Sequence, residues 1–485
     1  MISSKPTRDA PAPRPSVRHR TDGADSTTAD GASGPGTPSD SGAGPHIGDR
    51  AGADSAAGPG PDTLSARHRR VMPGWVTPYY DHPLALAHGS GRHVTDTEGH
   101  TYLDFFAGIL TNSLGYDLPE FREALQRQLA TGLTHTSTLY LIEAQVRLAE
   151  RLAELSGLSD PAVFLVSSGT EANDAALLAA LCRAGNNHVV ALRDGYHGRS
   201  LTTTAVTGLP GWRPSPYSPL RVTPADNGAV RPGQTRTAAD DESAVEAVRA
   251  ALESEGAAAA LIVEPVQGLG GFHTPPSALL RRYEELVRDG GGVLISDEVQ
   301  TAWGRTGRGW WGYELHGLRP DALTFAKGIA GGLPMGGLVA DRALMDSLTG
   351  KSISTFGGNP LSCTAALVTL DVIRDRDLLR NADRIGALLL SGLRALEDRE
   401  PHVTSARGHG LMLAVDLVEP GSGEPAPGTA RAFVSACRDL GLLIGMGGPH
   451  GNCLRIAPPL TVTAEEARAA GAVLEQAAAA TRPAG

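Results

Sequence analysis

Six short apolar runs constrain this chain more than any other feature: V-F-L-V (163–166), H-V-V-A-L (188–192), A-L-I-V (260–263), V-L-I-S (293–296), A-L-T-F (322–325) and G-L-V-A (337–340). Several carry apolar residues at successive positions, which suits strands covered on both faces, and helical patterns such as 277–288 separate some of them. The pattern predicts a mainly parallel α/β sheet. Ligands of such sheets bind outside the carboxyl ends of the strands, so polar motifs that follow the runs are the candidates for chemistry.

Around the runs, residues 119–130 and 141–155 show helical spacing, with Leu141, Ala144, Leu148 and Leu152 on one stripe. The segment T-D-T-E-G-H-T-Y-L-D-F-F (95–106) reads as a hairpin turning at Glu98 and Gly99, and the Pro-rich stretch 213–243 as a surface loop or lid. Residues 1–67 hold almost no large apolar side chains and cannot offset the entropy of ordering, so they read as a disordered low-complexity tail with order starting near Met72. At 485 residues the chain exceeds one ordinary core. The expected division is an N-terminal segment 68–110 joining a small domain, a large domain 111–345, and a C-terminal small domain 346–485.

Composition narrows the function. A formal net charge of -10 argues against nucleic-acid or anionic-membrane partners, which need a basic footprint. No apolar run approaches the roughly 18 residues of a membrane helix, and the N-terminus lacks a secretory apolar core. Its scattered Asp, Gly and Pro also weigh against an organelle transit peptide. Cys182, Cys363, Cys437 and Cys453 form no C-x-x-C pair and accompany no His cluster, so they read as buried free thiols in a reducing cytoplasm, with no metal site. Small-molecule chemistry is the class left standing.

Lysine usage gives the first chemical signal. The 43 basic residues include only Lys5, Lys327 and Lys351, and Lys327 alone follows an apolar strand, in A-L-T-F-A-K-G-I-A-G-G. An amine that sheds its proton can form a Schiff base and a guanidinium cannot; the competing reading is a strand-end lysine reaching for solvent. Asp297 closes the strand V-L-I-S-D, where a carboxylate can hold the ring proton of pyridoxal 5′-phosphate (PLP); a helix N-cap or metal ligand is the alternative. In V-S-S-G-T-E-A-N, Ser168, Gly169 and Thr170 open a helix after the first strand of the sheet, as a phosphate cradle or a plain cap. Tyr196 in D-G-Y-H-G-R-S can stack on a planar cofactor, and Arg199 and Arg455 can each hold a carboxylate; surface ion pairs are the commoner use of such arginines, and His197 reads as structural.

With these segments in this order, the chain from about 73 to 478 resembles the class III aminotransferases, PLP enzymes of fold type I with a large mixed-sheet domain and a smaller α+β domain. The resemblance rests on S-S-G-T-E-A-N, Y-H-G-R, E-P-V-Q-G, D-E-V-Q-T-x-x-G-R-T-G, A-K-G-I-A-G-G-L-P-M-G, T-F-G-G-N-P and L-R-I-A-P-P-L. The runs H-T-S-T-L-Y (135–140) and G-L-L-I-G-M-G-G (441–448) look most like the alanine-glyoxylate aminotransferase 2 branch, from which Arg199 is a departure.

The resemblance implies PLP as cofactor, Lys327 as Schiff-base lysine and Asp297 as partner of the ring nitrogen. It implies Val299 and Tyr196 on the two ring faces, Gln300 at the ring hydroxyl, and Gly169 and Thr170 at the phosphate. Thr355 would join the phosphate from a neighbouring subunit, which implies a homodimer with shared active sites. Glu264 is expected to pair with Arg455 as a gate between substrates with and without an α-carboxylate, and Arg199 to read a distal carboxylate. The function that follows is a ping-pong transfer of an amino group from an amino acid or ω-amine donor to a 2-oxo acid. The alternatives are an aminomutase or racemase on the same fold, and a non-catalytic PLP-binding protein.

Overall fold

The computed structural model describes residues 63–136, 138–230 and 234–483. In chain order the strands are β1 (Leu86–Ser90), β2 (His93–Asp96), β3 (Thr101–Asp104), β4 (Pro161–Val166), β5 (His188–Leu192), β6 (Arg221–Ala225), β7 (Ala260–Val263), β8 (Val293–Asp297), β9 (Ala322–Phe325), β10 (Gly336–Asp341), β11 (Val403–His409), β12 (Met412–Leu417), β13 (Leu442–Leu443), β14 (Gly445–Gly447) and β15 (Cys453–Ile456).

All six apolar runs are strands of one seven-stranded sheet, ordered β4-β10-β9-β8-β7-β5-β6. β10 is antiparallel to both neighbours, so the other six strands share one direction. The successive apolar residues have a direct cause, because β5, β7, β8 and β9 are buried on both faces. Val189, Ala191, Ile262 and Ile295 pack with Ala176, Leu177 and Ala180 of the helix Gly169–Ala184. Val190, Leu192, Leu261 and Leu294 face the other way, onto Val245 and Val248 of Ala238–Glu255 and Leu279, Leu280, Tyr283 and Val287 of Ser277–Asp289. Each large aliphatic side chain so buried contributes about 1.5–3 kcal/mol, which makes this layer the centre of the fold.

A second sheet, β11-β12-β15-β14, is antiparallel throughout, and the helix Leu378–Arg399 packs on it. In the third sheet the β2–β3 hairpin turns at Glu98 and Gly99, where Asp96 Oδ1 accepts the N–H groups of Glu98 and His100, each at 2.9 Å. β13 pairs in parallel with β3, joining the N-terminal segment to the C-terminal part of the chain.

Four expectations need correction. The tail was expected to reach residue 67, but a helix Leu64–Val71 is present, capped by Thr63, with none of its residues buried; residues 1–62 lie outside the described part. A capped surface helix needs no apolar core, so composition alone missed it. The stretch 213–243 contains β6 and the start of the helix Ala238–Glu255; β6 is an edge strand and therefore tolerates Pro224. Leu141 lies before the helix Glu143–Leu155 and is 96% exposed, while Leu148 and Leu152 are fully buried. Cys182 is exposed on the outer side of its helix; the other three cysteines are buried, and all four are free.

Candidate active site

Strand direction brings the chemistry-bearing residues together. Five strands of common direction end along one edge, and the turns after β4, β5, β7, β8 and β9 carry Ser168 to Thr170, Tyr196, Glu264, Asp297 with Val299 and Gln300, and Lys327. β8 and β9 are hydrogen-bonded neighbours with Asp297 opposite Thr324, so Asp297 and Lys327 leave the sheet side by side. All of these residues line one cavity of about 340 Å³.

Asp297 is buried and held at three points. Its Oδ2 accepts from Asn173 Nδ2 at 2.7 Å and His197 Nδ1 at 2.8 Å, and Oδ1 accepts the Val299 N–H at 3.1 Å. Asn173 is fixed in turn, since Thr324 Oγ1 donates to its Oδ1 at 2.6 Å and its Nδ2 also reaches the His197 carbonyl at 2.8 Å. Burial pushes the His197 pKa down, but the hydrogen bond and charge of Asp297 outweigh it and the net shift is upward. Sequence reasoning left His197 structural and missed Asn173 and Thr324. Asn173 was within reach, three residues after Thr170 on one helix face; Thr324 meets Asp297 only through strand register.

Lys327 has a left-handed backbone, φ 47°, uncommon for a side chain of this size. Burial drives its pKa from 10.5 down to about 8, against the opposing pull of Asp297 and Glu264 and with help from Arg455. Glu264 is buried, and burial pushes its carboxyl up to about 7, with His197 opposing and Asp297 adding. It accepts the N–H of Tyr196 at 2.8 Å and of Gly268 at 2.9 Å.

Arg455, on β15, is buried with no carboxylate within 4 Å among the described residues. It donates through Nε and Nη2 to the Met446 carbonyl at 3.2 and 2.9 Å, and through Nη1 to the Gly268 carbonyl at 3.1 Å. Its guanidinium lies 4.9 Å from the Phe106 ring centre and 5.6 Å from that of Phe272. The expected Glu264–Arg455 ion pair does not form within 4 Å among the described residues; both side chains grip Gly268 instead, one at N–H and one at C=O. Arg199 and Thr355 are exposed and do not line the cavity.

The surroundings fit PLP. Ser168 caps the helix Gly169–Ala184, and the first N–H groups of a helix have no intrahelical acceptor, so they suit a phosphate. A Cβ at residue 169 would lie 2.9 Å from a Val299 methyl, so glycine keeps this wall open. Gln300 Oε1 and His197 Nε2 are buried with no hydrogen-bond partner among the described residues. A mainly parallel sheet carrying a desolvated lysine, a fixed carboxylate and an anion cradle at one edge defines a PLP-dependent transferase of fold type I.

The chain belongs to the class III aminotransferases, whose family pattern it matches over residues 76–478, and it is a PLP-dependent aminotransferase. It is 37% identical over 402 residues to the acetylornithine aminotransferase of Mycobacterium tuberculosis, covering 82% of this chain and 92% of that protein. It is 33% identical over 425 residues to the human mitochondrial alanine–glyoxylate aminotransferase 2, covering 82% of each. A PLP-bound amine transaminase from an uncultivated Pseudomonas species superposes with a TM-score of 0.78 at 30% identity, over 88% of this chain and 99% of that one. These identities do not single out the alanine-glyoxylate branch. Nothing among the comparisons favours an isomerase or a non-catalytic protein.

Proposed function

We propose that this aminotransferase accepts amino donors whose α-carboxylate is held at Arg455 and returns the amino group to a 2-oxo acid in a ping-pong cycle. The observation that carries the reading is the meeting of Lys327, Asp297 and Glu264 in one cavity, with the buried Arg455 outside that lining but tied to Glu264 through the Gly268 peptide group. Bound there, PLP supplies an electron sink for the bond broken at the donor's Cα. Lys327 would anchor the cofactor, and its neutral amine would take the proton from the donor's Cα and carry it to the cofactor's carbonyl carbon, the relocation that amino-group transfer requires. Asp297, held in place by the bonds from Asn173, His197 and the Val299 amide, would keep a proton on the ring nitrogen. Val299 and Tyr196 would flank the ring, Gln300 would meet the ring hydroxyl, and Ser168, Gly169 and Thr170 would hold the phosphate, all of them lining the cavity.

Arg455 has five N–H donors, three of them used by Met446 and Gly268, which leaves one on each terminal nitrogen for a carboxylate. Glu264 offers a partner to that guanidinium when the donor has no carboxylate.

The active unit in this reading is a homodimer of chains, each with a large domain 111–345 and a small domain 346–485 joined by 68–110, with Thr355 of the partner subunit completing the phosphate site. The four free cysteines suit a reducing cytoplasm. No helix among the described residues is long and apolar enough to cross a membrane.

The test is a half-reaction screen. Amines without an acceptor should convert the cofactor's visible band to that of its amino form, and 2-oxo acids should restore it. Lys327→Ala and Lys327→Arg should both abolish turnover while far-ultraviolet circular dichroism stays unchanged. Turnover surviving either change would refute the role of Lys327.

A further inference from the structure

The buried guanidinium of Arg455 is held by a turn, and that turn is held by a second arginine. Strand register puts Arg407 opposite Ala414, Ala414 opposite Arg455, and Asp416 opposite Cys453. Side chains two apart along a strand share a face, so Arg407, Asp416, Cys453 and Arg455 all project from one face of the β11-β12-β15-β14 sheet. The turn Gly268–Phe272, which follows Glu264, lies against that face. Arg455 reaches its first carbonyl, at Gly268; Arg407 reaches the Gly271 carbonyl, through Nη2 at 2.7 Å and Nε at 3.1 Å.

Arg407 is itself aimed. Asp416 takes Nη1 and Nη2 at 2.8 Å each, and the Ser405 carbonyl takes Nη1 at 2.9 Å. The turn is strained next to the grip, where the fully buried Phe272 has φ 53°, while Gly271 takes φ 91°, which glycine adopts freely. A Cβ at residue 271 would lie 3.0 Å from Cys453 Sγ and 3.1 Å from Arg407 Nη2, so the close approach requires glycine. Strain of this kind persists only where the surroundings over-determine it.

We propose that Arg407 is a positioning residue for carboxylate recognition: clamped by Asp416, it fixes the Gly268–Phe272 turn, whose Gly268 carbonyl and Phe272 ring aim Arg455 at the donor carboxylate. The inference rests on the reading of Arg455 given above. Arg407 lies away from the cavity lining and takes no part in the proton chemistry at Lys327. Loss of the clamp therefore weakens carboxylate binding and leaves the reactivity of the cofactor's carbonyl carbon intact.

Two small oxyamines separate these effects without knowledge of the natural donor, since both react at that carbon and only aminooxyacetate bears a carboxylate; O-methylhydroxylamine has none. Holoenzyme is mixed with each, and the change in the cofactor's absorbance gives the rate. Arg407→Met should slow aminooxyacetate by roughly ten- to a hundredfold, the scale of a misplaced binding group, and leave O-methylhydroxylamine within about twofold. Arg407→Lys should recover little, because an ammonium cannot span Gly271 and both Asp416 oxygens. Should Arg407→Met fold poorly, Asp416→Asn keeps the shape and should give a smaller loss confined to aminooxyacetate.

Arg455→Met should abolish the preference for aminooxyacetate, and adding Arg407→Met to it should change nothing more. Equal slowing of both oxyamines in the Arg407 variants, or an additive loss in the double variant, overturns the positioning role. If Arg455→Met destroys the preference and Arg407→Met and Asp416→Asn keep it, only this inference falls. If Arg455→Met keeps the preference, the carboxylate reading falls and the inference with it.

Discussion

Lys327 combines a left-handed backbone with an amine that burial drives down to about pKa 8. Only the neutral amine attacks a carbonyl, so recapture of PLP by the cofactor-free protein should accelerate with pH and level off with a midpoint near 8. A midpoint close to the ordinary lysine value of 10.5 would mean that the amine is not desolvated where it acts. The same shift has a signed effect on stability. Between about 8 and 10.5 the folded cofactor-free chain binds fewer protons here than the unfolded chain does, so this group's contribution rises with pH through that window; below 8 the buried charge carries its full cost. Arg199 is the opposite case. It is exposed and outside the cavity lining, where a screened charge pair contributes about 0–1 kcal/mol. Arg199→Ala should therefore lower kcat/KM for glutamate and 2-oxoglutarate by no more than about fivefold, from that same range, and leave alanine and pyruvate unchanged. A loss of two decades, or equal losses for both substrate types, would show a different role.

Among the elements, the helix Gly169–Ala184 does two jobs, since Ala172, Ala176 and Leu177 pack into the core while its first turn borders the cavity. Gly169→Ala should keep the helix but press a methyl against Val299. Overpacking of this kind costs about 1–3 kcal/mol, so PLP affinity measured by fluorescence titration should fall roughly tenfold or more, with helix content unchanged. Unaltered affinity would argue against a tight wall at this point. The same helix shows what a sequence can reveal. Ser168 to Thr170 stood out because a cap, small residues and a preceding strand are local signals, and Lys327 and Asp297 stood out because each ends an apolar run. The hold on Asp297 was hidden, because Thr324 lies opposite it through strand pairing and His197 reaches it from a turn 100 residues away. The Glu264–Gly268–Arg455 chain was hidden for the same reason, as a peptide group stands where two charged side chains suggested a direct pair.

At the scale of the molecule, one exposed apolar region bears on the proposed homodimer. Tyr140, Leu141, Ile353 and Phe356 are 62–96% exposed, and a ring contact of 4.9 Å between His135 and Phe356 joins the two segments that carry them. Apolar side chains in such number are unusual on a lone surface and ordinary in a homodimer interface. Thr355 adjoins Phe356 and is not among the described residues that line the cavity, so the proposed dimer through this region would be what brings it to a phosphate. Sedimentation should then find about twice the 50.3 kDa chain mass, and Phe356→Asp should shift the protein toward monomer with loss of both PLP and activity. Complementation tests the shared site more sharply. Lys327→Ala dimers lack the amine in both sites, and Thr355→Ala dimers lack the hydroxyl in both. After mixing, unfolding and refolding, half the dimers are hybrids in which one site takes Lys327 from one chain and Thr355 from the other. Such a mixture should recover up to about a quarter of wild-type activity, the share of intact sites expected from random two-fold pairing. Activity no higher than the average of the two parent variants would mean that each site is built from a single chain.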